Sequence, residues 1–291
     1  MHWRILAPSA AACGILHLRA SAHPRGTFCD IGNEVSYKEL SAKAYSNMRT
    51  LIIGVFKYAK KKKYTTLSIT QFLGDMDLSK RSFAKRVKDK ESQVFFENEV
   101  LLITDYLKKN PTIENLGVLL AFQTGIREGE LAGLKFSDVK GNSIHIQRME
   151  VKYKDLITGK CVHEIKEHPK TDAGDRYIII TDKAKQTINQ IREKNRTSDF
   201  MMYVNGKMVW TNTFNDRIYK ACKAVGIPRR SMHKIRKTYG TTLLDAKVDE
   251  SLIMEQMGHS DIATTRKYYY YSNKDQAEKQ KQIQKAMVKM G

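Results

Sequence analysis

The chain has 291 residues, and its 51 Lys and Arg against 31 Asp and Glu leave a formal net charge of +20. That length allows two domains with a sizeable core, and no stretch approaches the ~20 apolar residues of a membrane-crossing helix. The four cysteines (Cys13, Cys29, Cys161, Cys222) form no CxxC pair, which argues against a disulfide scaffold or a zinc site and for a reducing, cytoplasmic setting.

The charge points to a polyanionic partner, nucleic acid first among them; a merely solvated basic surface is the plainer alternative. At the N-terminus a basic start, an apolar middle and Ala20-Ser21-Ala22 imitate a signal peptide, but Pro8 and Ser9 interrupt the apolar run. Residues 1–37 read instead as a disordered lead. Within residues 38–92 the spacing predicts an amphipathic helix, with Met48, Leu51, Ile52, Val55, Phe56 and Ala59 on its inner face. Lys57, Lys60, Lys61, Lys62 and Lys63 lie on the other face and end. They fit a solvated surface or contacts to phosphates, and the overall charge favours phosphates. A short helix begins at Leu78–Ser82, and Lys85–Gln93, charged and without apolar period, reads as a linker.

From residue 93 to 274 the pattern is that of a second domain. Helices are expected at Val100–Leu107 and at Ile113–Phe122, the latter nearly all apolar and therefore buried. Another follows Gly125 and ends near Leu134. Ser143–Val151 and Tyr177–Ile180 have strand character, and Phe200–Trp210 reads as a hairpin on an Asn205-Gly206 turn. Thr213–Val225 is helical, with Phe214, Ile218, Ala221, Cys222 and Val225 inward. Gly258 ends an apolar helical run, and Ser260 or Asp261 can cap a helix carrying Tyr268–Tyr271. In the tail, residues 275–291, Ile283, Ala286, Met287 and Met290 share one narrow side of a helix. The fold class is mainly α with a small antiparallel β-sheet.

The chemistry-bearing residues concentrate late in the chain. His233 and Arg236 stand three apart on one helix face. His259 follows Gly258, and Tyr268 lies nine residues beyond His259. Upstream stand Thr124-Gly125-Ile126-Arg127-Glu128-Gly129-Glu130 and, before the strand Tyr177–Ile180, Pro169-Lys170-Thr171. Each piece alone has an ordinary explanation: a surface ion pair, unrelated histidines, packed tyrosines, a solvated lysine. A zinc site through His233 and His259 lacks further ligands at metal spacing.

In this order and at these spacings the residues resemble the tyrosine recombinases of the phage-integrase family, over residues 38–273. The resemblance implies a helical core-binding segment at 38–92, of which only the second half is recognisable, and a tyrosine-recombinase catalytic domain at 93–274. It implies that Tyr268 attacks a DNA phosphodiester and becomes a 3′-phosphotyrosine. Arg127 and Arg236 would then hold the non-bridging oxygens, and Lys170 would protonate the leaving 5′ oxygen. His233 would help proton transfer, His259 would support the phosphate, and Glu130 would brace the site. No metal or cofactor is required. The partners implied are double-stranded attachment sites, a homo-tetramer on two sites joined by the 275–291 helix, and accessory excision or DNA-bending proteins; no membrane is implied. A type IB topoisomerase-like nicking-closing enzyme shares the chemistry, and a truncated, silent DNA-binding relic shares the residues.

Overall fold

The computed structural model describes residues 41–71, 93–168, 172–259, 274, 280–281 and 283–284. The chain divides into two compact units, Met1–Val87 and Lys88–Gly291. In the first, helix α1 (Ala42–Lys61) starts on Ser41, whose hydroxyl accepts from the Ala44 amide at 3.2 Å. Its inner line is narrower than the sequence suggests. Met48, Ile52, Phe56 and Ala59 are half-buried, whereas Leu51 and Val55 are 71% and 65% exposed. A stripe advancing mainly by four residues leaves the flanking positions, one residue away and about 100° around the axis, to solvent.

The second unit is built around one helix. α2 (Glu97–Lys109), α3 (Ile113–Thr124), α4 (Glu128–Ala132), α5 (Asp182–Lys194), α6 (Thr211–Ala224), α7 (Met232–Asp245) and α8 (Glu250–Met257) are its helices. α3 is the centre: α2, α5, α6 and α7 all pack on it. It is apolar nearly all round, with Leu116, Val118 and Leu120 fully buried. Its start is fixed by Thr112, whose hydroxyl accepts from the Asn115 amide at 3.2 Å. α6 presents Phe214, Ile218, Ala221 and Cys222 to the same core, as its spacing predicts. No helix among the described residues is long and apolar enough to cross a membrane.

The strands form three small antiparallel sheets. β1 (Val139–Lys140), β2 (Ser143–Ile146) and β5 (Arg176–Ile179) pair in the order β1-β2-β5. β3 (Met149–Lys154) pairs with β4 (Cys161–Lys166), and β6 (Tyr203–Val204) with β7 (Lys207–Met208) across the Asn205-Gly206 turn, where both residues have positive φ. The single strand expected over Ser143–Val151 is two, because the chain breaks at Gln147–Arg148. There Arg148 turns inward and donates to Asp138 Oδ1 at 2.9 Å, both side chains being buried. Such a pair is costly to break from one side, so it sets the direction change. α5 has no counterpart in the sequence reading: only Ala184, Thr187, Ile188 and Ile191 are buried in a helix otherwise made of polar residues.

Because α3 fills the centre of the unit, Leu120→Ala should lower its stability by about 2–5 kcal/mol, read by urea or thermal unfolding. A loss under about 1 kcal/mol would mean that α3 is not the organising core.

Candidate active site

Three helix ends meet at one place. α3 ends on Gly125, whose left-handed φ of 64° turns the chain into Ile126 and Arg127. A Cβ on Gly125 would stand 2.3 Å from the Tyr239 ring, so the position needs glycine twice, for backbone freedom and for space. Arg127 then opens the short α4. α8 ends on Gly258, φ 60°, and a Cβ there would stand 2.7 Å from the Ala173 carbonyl oxygen.

The carbonyls at these ends hold the two arginines. From the first turns of α7, Arg236 donates through Nη1 to the Gly125 carbonyl at 2.7 Å. Through Nη2 it donates to the Met257 carbonyl and, at 3.3 Å, meets His259 Nε2. Arg127 donates through Nη2 to the Gly258 carbonyl at 2.9 Å. Each arginine is thus fastened to a left-handed glycine at a helix end, where carbonyls lack intrahelical partners and the helix dipole is negative. The acceptors are neutral, so these contacts orient each guanidinium without discharging it.

Glu130 is the nearby anion. Its Oε2 accepts from the Arg127 amide at 3.0 Å and its Oε1 from Arg127 Nη1 at 2.6 Å. Arg176, at the start of β5, grips the same carboxylate with both terminal nitrogens, at 3.0 and 2.9 Å. Burial alone would raise the Glu130 carboxyl. The Arg176 fork and charge, with Arg127 and Arg236 behind them, outweigh it and hold the group down to about 2.

The two imidazoles are lowered as well, which leaves them uncharged where it leaves Glu130 charged. Burial, then Arg236, Arg127 and Arg176, press His259 down to about 4. Burial, then Lys237, Lys234, Arg236 and Arg127, lower His233. Both are neutral at pH 7, so the positive charge of the site resides in guanidinia. A cavity of about 360 Å³ opens here, with Arg127, His233 and Arg236 in its wall together with Glu128, Glu150 and Thr211. Glu150 is buried, and its carboxylate accepts from the Thr211 amide at 2.8 Å and pairs with His163 Nδ1 at 2.6 Å. It fixes the start of α6 beside the cavity.

The expected residues Arg127, Glu130, His233, Arg236 and His259 therefore come together. Lys170 and Tyr268, as well as Ser260, Asp261 and Tyr269–Tyr271, lie outside the described residues. Lys57, Lys60, Lys61, Lys62 and Lys63 are all exposed and belong to the other compact unit. In the tail, Ile283 is 64% exposed. Two participants escape a motif reading: Arg176 and Glu150. Each is a charged residue on the inward side of a strand, since burial alternates as Arg176 in, Tyr177 out, Ile178 in, Ile179 out. A charge in phase with apolar inward positions is the signal that could have found Arg176.

A sequence model of the phage integrase family matches residues 93–276, more than half of the chain. The chain belongs to the phage integrase family. Among curated members, a XerC-like tyrosine recombinase of Caldanaerobacter subterraneus subsp. tengcongensis is 29% identical over 198 residues, covering 62% of this chain and 50% of the relative. The chain thus spans half the length of that relative. The tyrosine recombinase XerD of Rickettsia bellii is 24% identical over 251 residues, covering 82% of this chain and 77% of its own length. In fold, the chain is similar to the Tn1549 transposon integrase solved with transposon right-end DNA. The TM-score is 0.69 at 17% identity, covering 89% of this chain and 86% of the integrase. The XerH recombinase bound to a palindromic difH substrate is also similar, with a TM-score of 0.60 at 15% identity over 94% of this chain and 74% of XerH.

The left-handed turn at Gly125 is testable by itself. Gly125→Ala should cost about 1–3 kcal/mol, seen as a lower melting temperature, because the methyl group must displace the Tyr239 ring from a backbone that disfavours it. An unchanged melting temperature would show that the turn yields without strain.

Proposed function

We propose that this chain is a site-specific DNA recombinase of the integrase type, which cuts and rejoins DNA strands through a 3′-phosphotyrosine. The observation that carries the reading is the convergence of Arg127 and Arg236 on one cavity, each oriented by helix-end carbonyls, with His233 in the wall and His259 against Arg236. Two guanidinia suit the non-bridging oxygens of a phosphodiester, whose charge spreads over those oxygens in the transition state. DNA as the substrate is supported by the net charge of +20 and by fold neighbours solved with DNA.

In the reaction the Tyr268 phenol loses its proton and its oxygen bonds to phosphorus. The bond to the 5′ oxygen breaks, and Lys170 gives that oxygen a proton. Neutral His233 is suited to take the phenol proton, directly or through water. Rejoining runs the same steps in reverse, with the phosphodiester energy kept in the phosphotyrosine. Glu130 fixes the aim of Arg127. Lys57 and Lys60–Lys63 meet backbone phosphates, and the partners are double-stranded attachment sites on which four copies assemble.

A nicked suicide substrate, made from the boundaries of the genomic segment that carries the gene, tests this. The wild-type chain should form a covalent adduct that maps to Tyr268, and Tyr268→Phe should form none while binding the same DNA within about twofold. An adduct on another residue, or none, contradicts the reading. Arg127→Ala and Arg236→Ala should each slow cleavage by about 10²–10³-fold. Lysine at either position should restore little, since a point charge lacks the fork.

Since surroundings lower His233 from the ordinary 6.5, it stays deprotonated above that pH. Cleavage should hold level as pH falls from about 8 to 7 and drop only below 6.5. A decline already between about pH 8 and 7 would assign the base elsewhere.

A further inference from the structure

We propose that Arg176 is a positioning residue for strand cutting, locking Glu130 and the Gly258–His259 turn into one frame so that Arg127 and His259 are aimed together. This rests on the recombinase reading above and adds a residue to its machinery.

Arg176 stands where three pieces of the site meet. Beyond its fork to Glu130 on α4, it donates through Nη1 to the Gly174 carbonyl at 3.0 Å, in the turn leading into β5. Through Nε it donates to the Gln256 carbonyl at 3.2 Å, in the last turn of α8. A Cβ at Gly258 would stand 2.9 Å from Arg176 Cδ, so the turn bearing His259 lies directly on the arginine side chain. The Gln256 side chain completes the join. Its Oε1 accepts from the Ile179 amide and its Nε2 donates to the Ile179 carbonyl, both at 2.9 Å. The end of α8 is therefore fastened to β5 at two points.

Among the described residues, the charged and titratable groups facing Glu130 are Arg176, Arg127, Arg236 and His259. Of these, Arg176 alone grips both carboxylate oxygens from the buried side, while the Arg127 side chain is 38% exposed. A carboxylate buried to this degree stays ionised only while its cationic partners hold it. Without Arg176, Glu130 is left with Arg127 as its direct cationic partner and either takes up a proton or shifts within that contact, and each outcome changes where Arg127 points. Arg176 also follows Lys170 by six residues in sequence.

The test compares wild type, Arg176→Met and Arg176→Lys on the nicked suicide substrate, with gel-shift affinity, circular dichroism and a pH profile. Arg176→Met should bind DNA within about twofold of wild type and cleave on the order of 10²-fold more slowly. Its acid limb should also begin at a higher pH than that of wild type. With Arg176 gone, burial is opposed only by Arg127 and Arg236, so the Glu130 carboxyl rises and its protonation slows cleavage at a pH where wild type still holds level. Adding Glu130→Gln should return the limb to its wild-type position. Arg176→Lys keeps charge and length but not the fork, and should lose about tenfold in cleavage with its fold intact.

If wild type forms no adduct, the recombinase reading falls and this proposal with it. If wild type cleaves and both Arg176 variants match its rate and pH profile, only the Arg176 proposal falls. It falls as well if both variants lose their circular dichroism signal, because Arg176 would then be a core residue alone.

Discussion

An arginine hydrogen-bonded to the carbonyl at the end of a helix is the contact on which the rest of the site depends. Arg236 holds Gly125 at the end of α3, and Arg127 holds Gly258 at the end of α8. The two contacts cross: the arginine that follows one left-handed turn reaches the other turn, and the arginine on α7 reaches back to the first. Helix C-termini offer carbonyls without intrahelical partners and the negative end of the dipole. A cation placed there is oriented by neutral acceptors, and Arg127 carries its ion pair with Glu130 in addition. Both turns need glycine, so the geometry of two guanidinia is set by two residues without side chains.

Three guanidinia this close would repel one another, and Glu130 makes the arrangement tolerable. It is nearly fully buried and ionised, and it touches Arg127 and Arg176 directly. The same field that keeps Glu130 charged keeps His233 and His259 uncharged. The site therefore separates its duties electrostatically: guanidinia carry the charge that suits a phosphate, and neutral imidazoles remain able to accept or relay a proton. The buried core beneath, centred on α3 with Leu116 and Leu120, supplies the rigidity that keeps these positions within ångström tolerances.

Much of this was legible in the residues. The apolar run of α3, the Asn205-Gly206 hairpin and the inner face of α6 follow directly from periodicity and turn chemistry. The pairing of His233 with Arg236 follows from helical spacing, and Gly125 and Gly258 read as stops. What escaped depends on long-range pairing. β2 and β3 look like one strand until Arg148 is seen to turn inward onto Asp138. α5 is too polar for its four buried side chains to stand out. Arg176 reads as the charged edge of a strand, because nothing near it in sequence announces that Glu130, 46 residues earlier, is its partner. A buried ion pair between distant segments leaves no periodic trace, and only the inward phase of the charge betrays it.

Family membership, a two-arginine cavity and a basic chain support the proposed phosphodiester chemistry, which requires both guanidinia to be held in place before DNA arrives. Selective ¹⁵N-labelling of arginine side chains, with Arg127 and Arg236 assigned by substitution, measures this in the free protein. Slow, hindered guanidinium rotation for both residues, little changed on adding duplex DNA, is the result expected of carbonyl-anchored groups. Rapid rotation in the free protein that stops only when DNA is added would contradict it, and the site would then be built by its substrate.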